Sequence, residues 1–164
     1  MEVGGEPHYP ARLIELGEAN LRTVGLSSAK ARYVLNLAEA VVSGQLPLDQ
    51  FDDSWDDETI TQSLTAIKGI GVWTAEMFLI FALNRPDILP TSDLGVRVGL
   101  RDRHGLAELP KPRDCHALAE AWRPYRTIAS WYLWKAAGPT IASPAPTAPR
   151  ISRTARRVRA GQSQ

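Results

Sequence analysis

The sequence predicts an all-α fold. Apolar residues recur at the three- and four-residue spacing of amphipathic helices through most of residues 28–137, and polar capping residues precede several of these segments. No segment has the two-residue alternation flanked by turns that is typical of β-hairpins. With 164 residues, of which 44% are hydrophobic and 23% charged, the chain has the size and composition of one globular domain.

Six helices are predicted from the apolar spacing and the capping residues. Ser and Asp side chains accept hydrogen bonds from the free N–H groups of a first helical turn, and such residues precede three of the segments. The segment 72–83 is apolar almost all round, so we expect that helix to lie in the core. In chain order, the expected helices run from Ser27 or Ser28 to Ser43, from Asp56 or Asp57 to about Ile67, over 72–83, from Asp93 onward, over 113–122 and over 125–137.

The chain is expected to divide into a folded part, 8–138, and a C-terminal part, 139–164. Four prolines among small residues in 139–149 forbid a helix and indicate an extended linker. Residues 150–164 contain five arginines and no acid, which is typical of a disordered basic tail. Because the net charge of the whole chain is only +1, the rest of the chain is acidic. Any binding to a polyanion must therefore come from a local surface or from the tail.

Composition excludes several classes of protein. The single cysteine, Cys115, rules out a disulfide framework and any four-thiolate zinc or iron–sulfur site within the chain, and we expect no metal site. No apolar run approaches the roughly 18 residues of a membrane span, and the acidic first residues lack the basic start of a signal peptide. These features favour a cytoplasmic protein that does not contact membranes.

A glycine hairpin is the most informative segment. Residues 64–75 read LTAIKGIGVWTA, in which two predicted helices are joined by a turn with Gly69 and Gly71. Glycine permits a sharp turn through positive φ and leaves the N–H groups at the start of the second helix uncovered. Those donors and the helix dipole form a phosphate-binding site, to which Lys68 and Thr74 are expected to contribute. The alternative is a tight helical hairpin with no ligand.

Three segments together resemble a known family. They are the hairpin at 64–75, the proline-containing loop with an aspartate at 84–97 (NRPDILPTSDLGVR) and the tryptophan-rich segment at 122–134 (WRPYRTIASWYLW). In this order they resemble the helix-hairpin-helix (HhH-GPD) DNA glycosylase superfamily, and the last segment resembles its DNA-3-methyladenine glycosylase II group. The resemblance covers about residues 9–138. It implies a helical glycosylase-like domain that flips alkylated bases out of double-stranded DNA for base excision repair.

The resemblance implies that Asp93 is the catalytic residue. In the family, the matching aspartate stabilises positive charge on the sugar and helps to position water while the N-glycosidic bond is hydrolysed. Hydrolysis of a glycosidic bond usually needs a second carboxyl group that protonates the leaving group. An N-alkylated purine such as 3-methyladenine or 7-methylguanine is already cationic, so one carboxylate can suffice. The alternative for Asp93 is a helix N-cap, a role that is compatible with catalysis.

The resemblance also implies a base-binding pocket. Trp134 matches the tryptophan on which the base stacks, and an electron-rich ring face prefers a cationic base by about 0.5–2 kcal/mol. Trp73, Met77 and Trp131 are expected neighbours, with core packing as the alternative for each. Trp73 also stands where the lyase branch has a Schiff-base lysine, and an indole cannot attack the sugar. We therefore expect a monofunctional glycosylase that only hydrolyses the bond.

Two further expectations concern cofactors and the start of the chain. No cofactor is expected, although a monovalent cation at the hairpin is left open, and the lone Cys115 excludes the iron–sulfur cluster of the endonuclease III branch. Family members have additional helices upstream, so the domain is expected to be incomplete at its N-terminus.

Three functions remain open at this stage. The first is an alkylbase DNA glycosylase that depends on Asp93 and Trp134. The second is a non-catalytic or inactive helix-hairpin-helix module, left by truncation, that only binds DNA. The third is a glycosylase for a neutral lesion, which would need a proton donor for which the sequence offers no candidate.

Overall fold

The computed structural model describes residues 9–138, and within that range the chain forms seven α-helices and no strand. The all-α prediction is confirmed. The predicted linker and tail, 139–164, lie outside the described residues. The helices are α1 Tyr9–Thr23, α2 Ser28–Val42, α3 Asp57–Thr65, α4 Val72–Phe81, α5 Leu94–His104, α6 Pro112–Leu118 and α7 Arg126–Ala137, and single 3-10 turns lie at Leu48–Gln50 and Glu120–Trp122.

The predicted caps define three helix starts. The Ser27 side chain accepts a hydrogen bond from the N–H of Lys30 at the start of α2. Asp56 caps α3 through the N–H of Thr59, at 2.8 Å, and Asp93 caps α5. Each side chain satisfies a backbone donor that has no partner within its helix.

Two segments differ from the sequence prediction. Helix α1 was not predicted, because its apolar spacing is weak and Gly17 interrupts it with a left-handed φ of 70°. It nevertheless packs against α2, and Leu21 near its C-terminal end is buried. The helix expected over 113–122 is instead two pieces, α6 and a 3-10 turn, since the backbone leaves helical geometry at Ala119.

The hydrophobic core consists of two clusters. One joins α2, α3 and α4 around Ile60, Leu64 and Leu79, and the other joins α5, α6 and α7 around Leu100 and Cys115. Among the described residues, Trp134 of α7 is the one side chain that packs against both clusters. It therefore connects the half of the fold that contains the hairpin to the half that follows it.

Helix α4 does not lie wholly in the core, so that expectation was wrong. Ala75, Leu79 and Ile80 are buried, but Trp73 is 48% and Phe81 52% exposed. Only part of the helix surface meets the core, and the exposed ring of Phe81 packs against Trp131 and Trp134 of α7. None of the helices described within 9–138 is both long and apolar enough to span a bilayer.

The loop between α4 and α5 is clamped to α7 by a charged pair. Arg126, whose side chain is 8% exposed, donates to both carboxylate oxygens of Asp87 at 2.6 and 2.8 Å. Next to this pair, the Thr127 hydroxyl accepts from the N–H of Ile88 and donates to the carbonyl of Arg85. These bonds fix the loop that leads to Asp93 relative to the helix that contains Trp134.

We expect Asp87→Asn to lower the free energy of unfolding by about 3–5 kcal/mol, because Arg126 would stay buried without a counter-charge. Hydrogen bonds from Arg126 hold the pKa of Asp87 below its ordinary value of 3.8. The pair therefore stabilises the fold above that value, and the stabilisation is lost as the pH falls through the lower folded-state pKa. Urea unfolding followed by circular dichroism, from about pH 2 to pH 7, measures both effects. Asp49→Asn is the exposed control, and an equal loss in both variants would contradict the role of the pair.

Candidate active site

The carboxylate of Asp93 is held by hydrogen bonds from three helices. Oδ1 accepts from the N–H of Val96 in α5, at 2.9 Å, and from Nε1 of Trp134 in α7, at 2.7 Å. Oδ2 accepts from Nε1 of Trp73 in α4, at 2.9 Å. Asp93 is thus the N-cap that the sequence predicts, and in addition it is a half-buried carboxylate held by two indoles. All three donors are neutral, so the negative charge has no counter-charge among them.

Trp73 precedes Asp93 in the sequence and Trp134 follows it, and both side chains donate to its carboxylate. Trp73 is half exposed at the first turn of α4, so it is not a core residue. Trp134 comes close to α5 because Gly95 has no side chain: a Cβ there would lie 2.8 Å from Cδ1 of Trp134 and 3.1 Å from Oδ1 of Asp93. Any larger residue at position 95 would push the indole away from the carboxylate.

An aromatic cleft is lined in part by Trp134, the residue that donates to Oδ1 of Asp93. The ring of Phe81, at the end of α4, stacks on Trp134 with an interplanar angle of 14°, and Trp131 meets both rings edge-on. A depression of about 450 Å³ is lined by Trp131, Trp134 and their neighbours Tyr132 and Lys135. Phe81 was missed by the sequence reasoning, although it is an exposed aromatic residue four positions after Met77. Met77 itself is partly buried and packs against the first core cluster, as Trp134 does.

Glu76 is a second carboxyl group at the site, and the sequence reasoning missed it. It follows Trp73 by three positions in α4, so the two side chains lie on the same face of the helix. Its Oε2 atom is buried, and no donor among the described residues reaches it. Burial and, secondarily, the negative charge of Asp93 raise the pKa of Glu76 to about 7. The available signal was that Glu76 is the one charged residue in the apolar sequence of α4.

The hairpin residues Lys68, Gly69, Gly71 and Thr74 are all exposed. The first three lie on the turn between α3 and α4, and Thr74 lies in the first turn of α4. Gly69 has a φ of 106°, as predicted, and packs directly on the ring of Tyr33. Gly71 has a φ of −96°, so the expectation of positive φ was wrong for that residue. Apart from Gly71 itself and its two chain neighbours, no atom of the described residues lies within 4 Å of the place a Cβ of Gly71 would occupy. The side chain of Asn36, in α2, donates to the carbonyl of Lys68 at 2.9 Å and anchors the turn.

Other concave or polar features lie away from Asp93. A larger open groove of about 810 Å³ runs between α5 and α7 and is lined by Tyr125, Ile128 and Tyr132 among others, without Asp93. Within residues 9–138, no three His, Cys, Asp or Glu side chains come together in a way that could hold a metal ion.

The geometry defines a helical domain in which a glycine hairpin precedes a helix-capping aspartate, and two tryptophans donate hydrogen bonds to that aspartate. A family described as "HhH-GPD superfamily base excision DNA repair protein" matches residues 7–124. This match spans well over half of the chain, and the chain therefore belongs to the HhH-GPD superfamily. Within it, the relatives that it resembles are DNA-3-methyladenine glycosylases, as the sequence motifs indicate.

Two relatives and two solved structures illustrate this similarity. DNA-3-methyladenine glycosylase 1 of Schizosaccharomyces pombe is 38% identical over 131 residues, which are 80% of this chain and 58% of the relative. The alkylbase DNA glycosidase-like protein mag2 of the same organism is 34% identical over 77% of this chain and 59% of its own length. The structure of the S. pombe 3-methyladenine DNA glycosylase Mag1 in complex with abasic DNA aligns with a TM-score of 0.72 and 39% identity, over 77% of this chain and 61% of that one. A DNA-3-methyladenine glycosidase from Bacillus halodurans aligns with a TM-score of 0.70 and 38% identity, over 86% and 64%. The chain thus spans about three-fifths of the length of these relatives.

We expect the protonation of Glu76 to make the free energy of unfolding depend on pH. Because the folded-state pKa is raised from 4.5 to about 7, the free energy of unfolding should fall by about 2–3 kcal/mol as the pH rises through this interval. Glu76→Gln, which cannot ionise, should remove the fall. Urea unfolding of both proteins across the interval measures it. Glu39→Gln, at an exposed glutamate of α2, is the control and should show the same fall as the parent protein. If Glu76→Gln also shows the fall in the free energy of unfolding, the titrating group is not Glu76.

Proposed function

We propose that this chain acts as a monofunctional DNA glycosylase that hydrolyses the N-glycosidic bond of alkylated purines, of the 3-methyladenine and 7-methylguanine type, in base excision repair. The observation that carries the proposal is the carboxylate of Asp93, held by three neutral donors, one of which, Trp134, also lines an aromatic cleft. A carboxylate that serves only as a cap needs the bond from Val96 alone. The two indole donors fix both of its oxygens in one orientation and leave the charge uncompensated.

The chemistry follows from that charge. When the bond between C1′ and the base nitrogen breaks, the electron pair leaves with the cationic purine, which becomes neutral, and the sugar becomes a cation. A fixed negative charge next to C1′ stabilises this cation without reorganisation, which is the largest single contribution in many enzymes. Water then adds to C1′ and loses a proton. Trp73 supplies an N–H donor and no amine, so the chain offers no Schiff-base route at this position.

The aromatic cleft suits a flat, cationic base. Phe81, Trp131 and Trp134 expose ring faces and edges within about one ring diameter of one another, with centroids 5.3–6.2 Å apart. A cationic purine against these rings gains cation–π stabilisation of roughly 0.5–2 kcal/mol, which a neutral purine lacks. We assign base binding to this cleft, with Trp73 and Met77 at its α4 side.

The hairpin is the proposed grip on double-stranded DNA. The uncovered N–H groups at the start of α4 and the ammonium group of Lys68 would bind a phosphate, with Thr74 as a further donor. The conformation of Gly71 does not require glycine, and the open space at its missing Cβ fits the close approach of a DNA backbone. This grip would work although the folded part of the chain is acidic.

Several expectations from the sequence stay predictions. They are the cytoplasmic location, the absence of a cofactor and the monovalent cation at the hairpin. The carbonyls of Ile67 and Lys68 in the hairpin already accept hydrogen bonds from Ile70 and Asn36, and we assign no step to such an ion. The alternative function is the non-catalytic helix-hairpin-helix module, which would need the hairpin but neither Asp93 nor the cleft.

We expect Asp93→Asn to slow single-turnover release of 7-methylguanine from methylated duplex DNA by about 100- to 1,000-fold, because the sugar cation loses its counter-charge. Asn caps helices about as well as Asp, so the fold should persist and circular dichroism should be unchanged. Asp49→Asn is the matched control and should release the base at the parent rate.

Two results would overturn the glycosylase proposal in different ways. Equal release by the parent and Asp93→Asn would remove the role of the carboxylate. Release by neither protein, with DNA binding intact in both, would favour the non-catalytic module.

For the hairpin, we expect Lys68→Ala to weaken binding to duplex DNA and to reduce the slope of log K against log salt by about 0.9, since one phosphate contact is lost. Gly71→Val should weaken binding with the slope unchanged, because it blocks approach without removing a charge. Fluorescence anisotropy over a salt series measures both. Lys111→Ala, at the start of α6, is the control; a slope change as large as that of Lys68→Ala would show that the phosphate contact is not specific to the hairpin.

A further inference from the structure

Two side chains of α2 hold the turn of the glycine hairpin. The side-chain amide of Asn36 donates to the carbonyl of Lys68 at 2.9 Å. The ring of Tyr33 lies against Gly69, where a Cβ would lie 2.6 Å from the Cβ of Tyr33 and closer still to the ring. Tyr33 and Asn36 are three positions apart, so they lie on the same face of α2. Two consecutive residues of the turn are thus fixed against one helix.

The contact between Tyr33 and Gly69 depends on glycine in two ways. The φ of Gly69 is 106°, which side chains rarely allow, and any side chain there would collide with the ring of Tyr33. Tyr33 is itself 39% exposed, so its ring packs on the turn at the surface and not in the core. The glycine therefore both makes the turn and lets α2 reach it.

The turn needs this support before DNA binds. Within it, the N–H of Ile70 donates to the carbonyl of Ile67 at 3.0 Å, which closes the turn but does not fix it against the rest of the protein. Glycine has more backbone freedom to lose than other residues. A turn that moved freely in the unbound protein would lose that freedom when a phosphate bound at the start of α4, and the lost entropy would weaken binding.

We propose that Tyr33 and Asn36 are positioning residues that hold the hairpin in its phosphate-binding conformation before DNA binds. This inference rests on the proposed grip of the hairpin on DNA and deepens it, because it makes the affinity for duplex DNA depend on a helix outside the hairpin. Neither side chain is charged, so both act through the shape of the turn. The donors to Asp93 come from α4, α5 and α7, so the bond-breaking step does not depend directly on α2.

The test separates DNA binding from chemistry in the full chain. In Tyr33→Ala, we expect the Kd for duplex DNA to rise by about 5- to 30-fold, the factor for ordering the backbone of one residue. The slope of log K against log salt should stay at the parent value, because no charge is lost. The single-turnover rate of 7-methylguanine release at saturating protein should also be unchanged. Asn36→Ala should show the same combination. Fluorescence anisotropy over a salt series and base release from methylated duplex DNA measure these quantities.

Matched variants serve as controls for the ring and for the loss of a surface tyrosine. Tyr33→Phe keeps the ring on Gly69 and should bind DNA as the parent does. Tyr9→Ala removes a tyrosine of α1 that is 67% exposed, and it should also bind as the parent does. Circular dichroism checks that each variant is folded.

A double variant tests whether Tyr33 acts through the hairpin. Gly71→Val blocks the approach of DNA to the turn, so Tyr33→Ala in that background should weaken binding further by less than about 2-fold. A further loss as large as the loss in the parent background would place the effect of Tyr33 elsewhere on the protein and would overturn the inference.

Other outcomes distinguish a failure of this inference from a failure of the grip. If Tyr33→Ala binds as the parent does while Gly71→Val and Lys68→Ala bind weakly, the positioning role is wrong and the grip survives. Equal weakening in Tyr33→Phe has the same meaning, since the hydroxyl group would then contact DNA itself. If Tyr33→Ala does not fold, Asn36→Ala decides in the same way. If Gly71→Val and Lys68→Ala also bind as the parent does, the grip and this inference fail together, while base release by Asp93→Asn still tests the glycosylase.

Discussion

The carboxylate of Asp93 is the point at which three helices of this fold meet. Its donors come from α4, α5 and α7, and each is a neutral N–H group. A half-buried carboxylate without hydrogen bonds would be costly, and three bonds offset much of that cost. A cationic partner would have offset it as well, but it would also have neutralised the charge. The choice of neutral donors keeps the site stable and leaves it attractive to a cation from outside.

The loop between α4 and α5 contains a second aspartate, Asp87, which does have a cationic partner. Asp87, six residues before Asp93, is paired with the buried Arg126 and is thereby committed to the structure. Its pair fixes the loop on α7, the helix that presents Trp134 to Asp93. The ion pair of Asp87 and Arg126 thus makes this part of the fold rigid, and the same loop positions Asp93, whose charge has no cationic partner among its hydrogen-bond donors. Rigid support of this kind is what keeps a reactive group within its working geometry.

Local signals in the sequence predicted much of this arrangement, and non-local contacts could not be predicted. The caps Ser27, Asp56 and Asp93 were identifiable because a cap and its helix are adjacent in the chain. The bonds from Trp73 and Trp134 to Asp93 join residues 20 and 41 positions apart, so only the resemblance to a family suggested that they share a site. The burial of Glu76 depends on how α4 packs, which no local pattern encodes.

The apolar character of α4 explains why the sequence predicts a wholly buried helix and why it gives no sign that Glu76 is buried. A helix with apolar residues on every face normally lies in a core, but here Trp73 donates to Asp93, Phe81 stacks on Trp134, and both side chains are about half exposed. Burial disfavours a charge on a carboxyl group, and it is the main reason that the pKa of Glu76 is raised to about 7. Helix α4 thus contributes Ala75 and Leu79 to the core, Trp73 to the hydrogen bonds of Asp93, and a buried carboxyl group that the surrounding residues keep protonated.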